Sequence, residues 1–543
     1  MKKSLHYIVF SILIVFVSSC QNKPEELKHI PKNADFVFTF LPSQLQNKSG
    51  ITNFSETSIY QTIISDTNEE VKNHLEQFDY ILQNGEESGL NLKQNVFLFS
   101  TNQHNGFYQN KGVSFGISDP AKFKTMIEKM LQGHPDSAEI IKEEGVHYLL
   151  SKKANSNFIL AWNKDAAIGL TRSKGKNFHT KLKEEAAELL NQSKGNSIAS
   201  DDDFLDFYDK RKDFSLWLNS DFLMTKLPSE YQLLAKMQLP IKLDDIHYHF
   251  FIAFEKGEAI MTSSLKLSDE LEDFIEDYKI IKDNFDVQML QYLPQNSFAN
   301  FSFAIDPYEF YRMIVALYAE RQIDTEGMKG LIELGLNTDI EKTLKAFSGE
   351  CIINFHDVKI VNQTTISDSA SENSNDTTYE LTPRWMFSAL IKMDNDTVYQ
   401  WFLDKMIDHK EQMTEGYFEL NDNPNQSYYA SMVDHYMMLT NDQQLIRDFS
   451  NKQNQKPSLA DSDIGKHLSN YAVYAKINMD YSAYPKSVQE YYDTTYMKED
   501  KLSMRTKLSE IIYNPNGSYS SSLIMKFKDK ETNSLKLMMR NND

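Results

Sequence analysis

Hydrophobic and polar positions alternate along this chain in two stretches of one pattern. Ile30 to Phe40 (IPKNADFVFTF) and Leu293 to Ile305 (LPQNSFANFSFAI) each open with an apolar residue and Pro, pass a short polar turn, and enter an aromatic-rich strand. After the first, a helical stretch ends near Leu82, where Gly85 and Gly89 mark the stop. Val96 to Ser100 reads as a buried strand and Gly112 to Ser118 as the next. Ser118-Asp119-Pro120 then caps a helix with Phe123, Ile127, Met130 and Leu131 on one face. A meander follows in Val146 to Ser151, Phe158 to Trp162 and Ala166 to Thr171, joined by short polar turns. Lys181 to Lys212 reads as helical and exposed, Phe214 to Leu218 as a strand, and His247 to Phe254 with Ala259 to Leu267 as a hairpin. A charged helix from Asp269 to Asp286 closes this half.

The second half repeats the order. Ile352 to Phe355 stands for Val96 to Phe99, and Phe387 to Met393 for Gly112 to Ser118. Asp394-Asn395-Asp396 replaces the Ser118 cap, and Asp434 to Thr440 matches Asp165 to Thr171. These matches predict an α+β fold with two similar lobes from an internal duplication, 30–287 and 288–543, each a mainly antiparallel sheet with helices packed on it. The near-continuous aromatic content of Phe36 to Phe40 and Phe301 to Ile305 predicts central strands covered on both faces. Residues 362–383, rich in Ser, Thr, Asn and Asp, read as a mobile insertion between two strands.

Composition sharpens this only in part. At 543 residues the chain suits two lobes, and 41% hydrophobic residues are ample for packing. A formal net charge of −20 argues against nucleic acid as a partner, because a phosphate backbone is bound through a surplus of Lys and Arg.

The N-terminus carries an address. Lys2 and Lys3 precede a short apolar run, Tyr7 to Val17, which is shorter than the roughly 20 residues a transmembrane span needs. Residues 1–19 therefore read as a signal peptide. Val17-Ser18-Ser19-Cys20 resembles a bacterial lipobox, which implies acylation of Cys20, with 20–29 as a lipid-anchored tether. Gln21 to Glu26 lacks an Asp at the second mature position and is similar to the export pattern of Bacteroidota surface lipoproteins, interrupted by Pro24. With the lipobox, the Ile-Pro openings, the Ser118-Asp119-Pro120 cap and the hairpin strands, the chain resembles the two-lobed Bacteroidota envelope lipoproteins classed as domains of unknown function. That resemblance implies an outer-membrane, surface-facing location and assigns no catalytic residue.

Candidate chemistry is sparse. Gly112-Val113-Ser114-Phe115-Gly116 fits G-x-S-x-G, which would make Ser114 the nucleophile of an envelope or polymer hydrolase, but Tyr108 to Lys111 reads as a polar turn where an elbow needs a buried strand. His247 and His249 share one side of a strand and have the spacing to ligate one metal, without a nameable third ligand; the alternation puts them on its wetter side. Asp394-Asn395-Asp396 begins like a calcium loop but has Tyr399 and Lys405 where Gly and Glu are needed. Cys351 reads as a small buried hydrophobe, and with Cys20 acylated no internal disulfide forms. Asp-Ser/Thr-small triplets at Asp136, Asp368, Asp376, Asp396 and Asp493 resemble Bacteroidota O-glycan acceptor sites. Neither a cofactor motif nor a catalytic set emerges. The expectation is a non-enzymatic binding or scaffolding protein anchored in a membrane, whose partner is a protein, a glycan or an apolar ligand; the remaining alternative is a carrier of an apolar ligand in an aromatic-lined cavity.

Overall fold

The computed structural model describes residues 24–57, 60, 79–80, 83–85, 87–102, 109–131, 138–152, 157–172, 178–220, 222, 246–282, 285–319, 325–336, 338–366, 377–405, 410–412, 416–423, 426–468, 471–495 and 507–539. The signal peptide, Cys20 and its first neighbours lie outside them. The chain forms two compact units, Met1–Lys226 and Leu227–Asp543, and the fold mixes helices with antiparallel sheet, an α+β architecture.

The first unit contains β1 (Phe36–Phe40), β2 (Val96–Asn102), β3 (Gln109–Gly116), β4 (Ala138–Glu143), β5 (Val146–Ser151), β6 (Phe158–Trp162), β7 (Ala166–Arg172) and β8 (Phe214–Asn219). Their order across the sheet is β4-β5-β6-β7-β3-β2-β1-β8, every neighbour antiparallel. Helices α1 (Pro42–Ser49), α2 (Pro120–Leu131), α3 (Phe178–Asn191) and α4 (Asp202–Asp209) accompany it. The Asp119 carboxylate accepts from the amides of Ala121 (2.9 Å) and Lys122 (3.0 Å), so α2 starts where the sequence places its cap. Phe123, Met126 and Ile127 of α2 then pack on Leu160, Trp162 and Ala167. The other face of the sheet is covered by α3, which buries Leu182, Ala186 and Leu190, and by α4, which buries Phe204, Phe207 and Tyr208. The expected exposure of Lys181 to Lys212 is thereby corrected: most of its acidic residues face water, but its apolar stripes close the core.

The second unit contains β9 (His247–Glu255), β10 (Glu258–Lys266), β11 (Ala299–Ala304), β12 (Phe347–Ile366), β13 (Thr377–Met393), β14 (Lys410–Gln412), β15 (Phe418–Asn423), β16 (Gln426–Val433), β17 (Tyr436–Thr440), β18 (Val473–Asn478), β19 (Leu508–Pro515) and β20 (Ser520–Phe527). Its helices are α5 (Asp269–Glu276), α6 (Pro307–Ala319), α7 (Thr325–Leu336), α8 (Ile340–Lys345), α9 (Thr397–Lys405), α10 (Gln443–Ser450), α11 (Asp463–Leu468), α12 (Lys486–Thr495) and α13 (Ser534–Met539). The sheet order is β14-β15-β16-β17-β13-β12-β11-β18-β19-β20-β10-β9. Thus β1–β2 recurs as β11–β12, β3–β7 as β13–β17, and β9–β10 as β19–β20. The β9–β10 hairpin belongs to this unit because β10 pairs with β20 from Glu258↔Lys526 to Ser264↔Ser520.

On one face of this sheet, Leu445, Ile446 and Phe449 of α10 and Ile464 and Leu468 of α11 pack on Ala304, Ile352, Leu390, Tyr474 and Ile512. On the other, α9 covers only the meander end, setting Val398, Tyr399 and Leu403 on Met393, Leu420 and Met437. The expected loop at 362–383 is corrected in large part. The backbone of 362–366 and 377–383 continues β12 and β13, paired from Asn362↔Leu381 to Ile366↔Thr377, in keeping with the strand propensity of the Thr, Ile and Tyr in these stretches.

Candidate functional site

β11 lies between β12 and β18, as a central strand should, but its aromatic residues are not covered. Phe301, Phe303 and Ile305 are 37%, 38% and 37% exposed, while Asn300, Ser302 and Ala304 between them are buried. This corrects the expectation of a strand covered on both faces. The polar side is retained inside because Ser302 Oγ donates to the Tyr474 carbonyl at 3.1 Å.

Register extends the apolar side across the sheet. Phe301 sits between Ile353 and Ala475, and Phe303 between Cys351 and Val473. Aromatic rings step across it: Phe301 meets Phe355 at 6.4 Å, Phe355 meets Phe387 at 6.2 Å, and Phe387 meets Tyr428 at 6.2 Å. Such contacts fix ring geometry without removing the rings from solvent. The first unit also turns aromatic residues toward its more open face, without the buried polar row. Phe36, Phe38 and Phe40 of β1 are half-buried while Val37 and Thr39 are buried, and Leu98 and Phe158 are exposed. There Phe38 stacks on Phe214 at 5.6 Å.

The chemically suggestive residues lie elsewhere and do not converge. Ser114 is buried in mid-β3, between Phe97 and Ile168 in register, and the strand runs on to Gly116. No helix starts at Ser114, so the strained turn of a nucleophile elbow is missing there. It lines a cavity of about 350 Å³ with Glu25, His29 and Asp165. His29 holds the Leu189 carbonyl at 3.1 Å through Nδ1, and burial pulls its pKa below the ordinary histidine value, which favours the neutral ring.

His247 and His249 are buried on β9, with Tyr248 and Phe250 on the more open side, so the expected wetter side is the covered one. Among the described residues, no group of three or more His, Cys, Asp and Glu side chains is arranged to hold a metal ion. Cys351 is buried, and that burial pushes its thiol up to about 12. Asp394-Asn395-Asp396 caps α9: the Thr397 amide donates to Asn395 Oδ1 at 3.0 Å and the Gln400 amide to the Asp396 carbonyl at 2.9 Å. Of the Asp-Ser/Thr triplets, Asp396-Thr397 begins α9 and Asp493-Thr494 lies in α12, whereas Asp136, Asp368 and Asp376 lie outside the described residues.

The sequence reading missed the open apolar face, and it missed a second cavity of about 510 Å³ in the second unit, lined by Asn300 and Lys476. The first was signalled by Phe alternating with Asn and Ser in 298–305; what that alternation leaves open is which side is wet.

No helix of the described residues is long and apolar enough to cross a membrane. Among solved structures, two crystal forms of TP0453 are similar to part of the chain. Form IV is 12% identical over 48% of this chain and 85% of that one, with a TM-score of 0.26. Form I is 11% identical over 45% and 80%, with a TM-score of 0.23. No curated protein matches the chain. A family model described as a domain of unknown function, DUF4836, matches residues 28–535, which takes in most of both units, and the chain therefore belongs to the DUF4836 family.

Proposed function

We propose that this is a non-enzymatic binding protein of a bacterial envelope, anchored through an acylated Cys20, which takes an apolar ligand on the open faces of its sheets. The observation that carries the reading is the inverted polarity of β11, where Phe301 and Phe303 are exposed and Asn300 and Ser302 are buried. A monomer gains nothing in stability from aromatic surface left in water, and contiguous apolar surface is the ordinary mark of a binding face. The recurrence of the first unit's strand pairings in β11–β18, with aromatic residues again on the more open side, supports an origin by duplication in which both copies kept the face. The lipobox-like Val17 to Cys20 and the tether after it support surface display on an outer membrane of the Bacteroidota type.

Replacing both Phe301 and Phe303 by Ser is expected to weaken binding of the apolar dye Nile red by about tenfold or more, since each buried Phe contributes about 1.5–3 kcal/mol. Palmitate should compete with the dye on the unaltered chain. Some thermal stability should be lost, because each ring is still partly packed on its neighbours, so dye binding is compared at a temperature where the variant is fully folded. Equal dye affinity in the double variant would sink the reading. The anchor is tested separately: Cys20→Ala should abolish incorporation of an alkyne fatty acid in cells, and a labelled variant would refute acylation at that residue.

A further inference from the structure

On the helix-covered face of the second unit's sheet, one register position is polar from strand to strand. Lys476 of β18, Asn300 of β11, Asn354 of β12, Ser388 of β13 and Thr440 of β17 are successive cross-strand partners. Asn300 is 2% exposed, and Asn354, Ser388 and Thr440 are 0% exposed. Thr440 Oγ1 donates to the Phe387 carbonyl, and Asn300 Nδ2 to Ser297 Oγ. Asn300 Oδ1, both polar side-chain atoms of Asn354 and Ser388 Oγ have no hydrogen-bond partner among the described residues. A buried polar atom without a partner costs about 1–3 kcal/mol, so a run of them is a sign of something the site receives.

The fold does not require this polarity. The matching row in the first unit is Trp217, Val37, Phe99, Gly112 and Leu170. It is closed by packing: the Phe99 ring lies where a Cβ on Gly112 would sit, 2.2 Å away.

The polar row reaches the 510 Å³ cavity through Asn300 and Lys476, and that volume is within the range of about 300–1,000 Å³ usual for small-ligand sites. Four carboxylates line it, Asp461, Asp463, Asp480 and Glu510, with Lys476 as the lysine among them. Asp461 accepts from the Ser458 amide at 3.0 Å and from Ser458 Oγ at 2.9 Å, and Asp463 pairs with Lys466 at 3.3 Å. Glu510 pairs with Lys476 and Lys526, each at 2.7 Å, and Asp480 with Lys528 at 2.9 Å. Burial works to raise the Glu510 carboxyl, but the two lysines outweigh it and hold it below the usual range. A phosphate would meet this excess of carboxylates, and an ammonium ion would compete with the lysines that already hold three of them. A neutral ligand rich in hydroxyls would meet donors and acceptors on every side. Phe298, also lining the cavity, is fixed by stacking on Tyr484 at 4.6 Å and supplies an aromatic surface for the apolar side of a pyranose ring.

We propose that this cavity binds a neutral sugar, with Asn300 as its buried hydrogen-bonding contact. It lies on the side of β11 opposite Phe301 and Phe303, so it stands or falls separately from the apolar face: the Phe301/Phe303 double variant should keep sugar binding.

The test is calorimetric titration of the full mature chain with methyl glycosides of glucose, galactose, mannose and N-acetylglucosamine, and with their linear tetrasaccharides. Putrescine and inorganic phosphate serve as charged probes. At least one neutral sugar should bind at one site per chain, and a tetrasaccharide that binds where its methyl glycoside does not would identify a polymeric glycan as the source. Asn300→Val, which installs the first unit's residue, should weaken that binding about tenfold or more by removing a buried hydrogen-bonding group. Its melting temperature should stay level or rise, because an unpaired carbonyl is removed. Phe298→Leu keeps apolar volume and should also weaken binding, by loss of the ring. Failure of the whole sugar panel, binding of putrescine or phosphate in its place, or full sugar affinity in Asn300→Val would each overturn the proposal.

Discussion

Lys392→Met is expected to destabilise the second unit by about 3 kcal/mol, the low end for breaking a buried ion pair because Lys392 itself is 30% exposed. Its ammonium lies 3.0 Å from Asp286 and 3.5 Å from Glu350, whose side chain is 7% exposed. Glu350 also accepts from the Asp286 amide at 3.0 Å and from Ser348 Oγ at 2.8 Å, and Tyr436 donates to Asp286 at 2.8 Å. Methionine keeps the stem and leaves two carboxylates facing each other without a counter-charge.

The loss should depend on pH in a fixed direction. Burial acts to raise the Asp286 carboxyl, but the hydrogen bonds from Lys392 and Tyr436 outweigh it and hold it below its ordinary 3.8. A depressed carboxylate contributes stability above its unfolded pKa and loses it as pH falls through the folded value. For Lys392, burial acts to lower the pKa, and Asp286 and Glu350 outweigh it and raise it above 10.5, so that part is complete below 10.5 and is lost as pH rises through the folded value. Urea unfolding of both proteins should show the widest gap near neutrality and a narrowing one below about pH 4. A gap that widens in acid would contradict the assignment.

Trp162→Ala should destabilise the first unit by about 3–5 kcal/mol, the range for emptying a large aromatic site in a core. Trp162 is fully buried between Phe123 of α2, edge-on at 5.4 Å, and His147 of β5, stacked at 5.2 Å. Its indole nitrogen has no hydrogen-bond partner among the described residues, so the loss is one of packing rather than polar pairing. Amide exchange should accelerate through β5 to β7 and α2 first, since these are the elements it holds together. Exchange there at the unaltered rate would show that the ring is replaceable.

Local signals were read well where chemistry acts over a few residues. The cap at Asp119, the meander of β5 to β7 and the hairpin of β9 and β10 follow from turn residues, capping oxygens and period-two runs. Sidedness was not legible. His247 and Tyr248 alternate in any strand, but whether the histidines or the tyrosine meets water depends on where α13, more than 250 positions on, comes to rest against β9, a long-range outcome. Phe301 and Asn300 pose the same problem, and the usual assumption that Phe faces inward gives the wrong answer at the face proposed to bind. In β12 and β13 the Ser, Thr and Asn content masked a backbone ladder that side-chain polarity does not forbid. The polar row from Lys476 to Thr440 was invisible for a further reason: its members are spread over more than a hundred positions and are adjacent only through strand register.

The pairing of β10 with β20 joins Ser263 to Ser521 across 258 positions of the chain. During synthesis, or during passage through a membrane in an amino-to-carboxyl direction, β10 therefore waits for the final hairpin with its outer ladder of amides and carbonyls open. A half-delivered polypeptide presents that ladder to any extended segment nearby, including the β20 of another copy, which makes this seam the point at which strand exchange between molecules would begin.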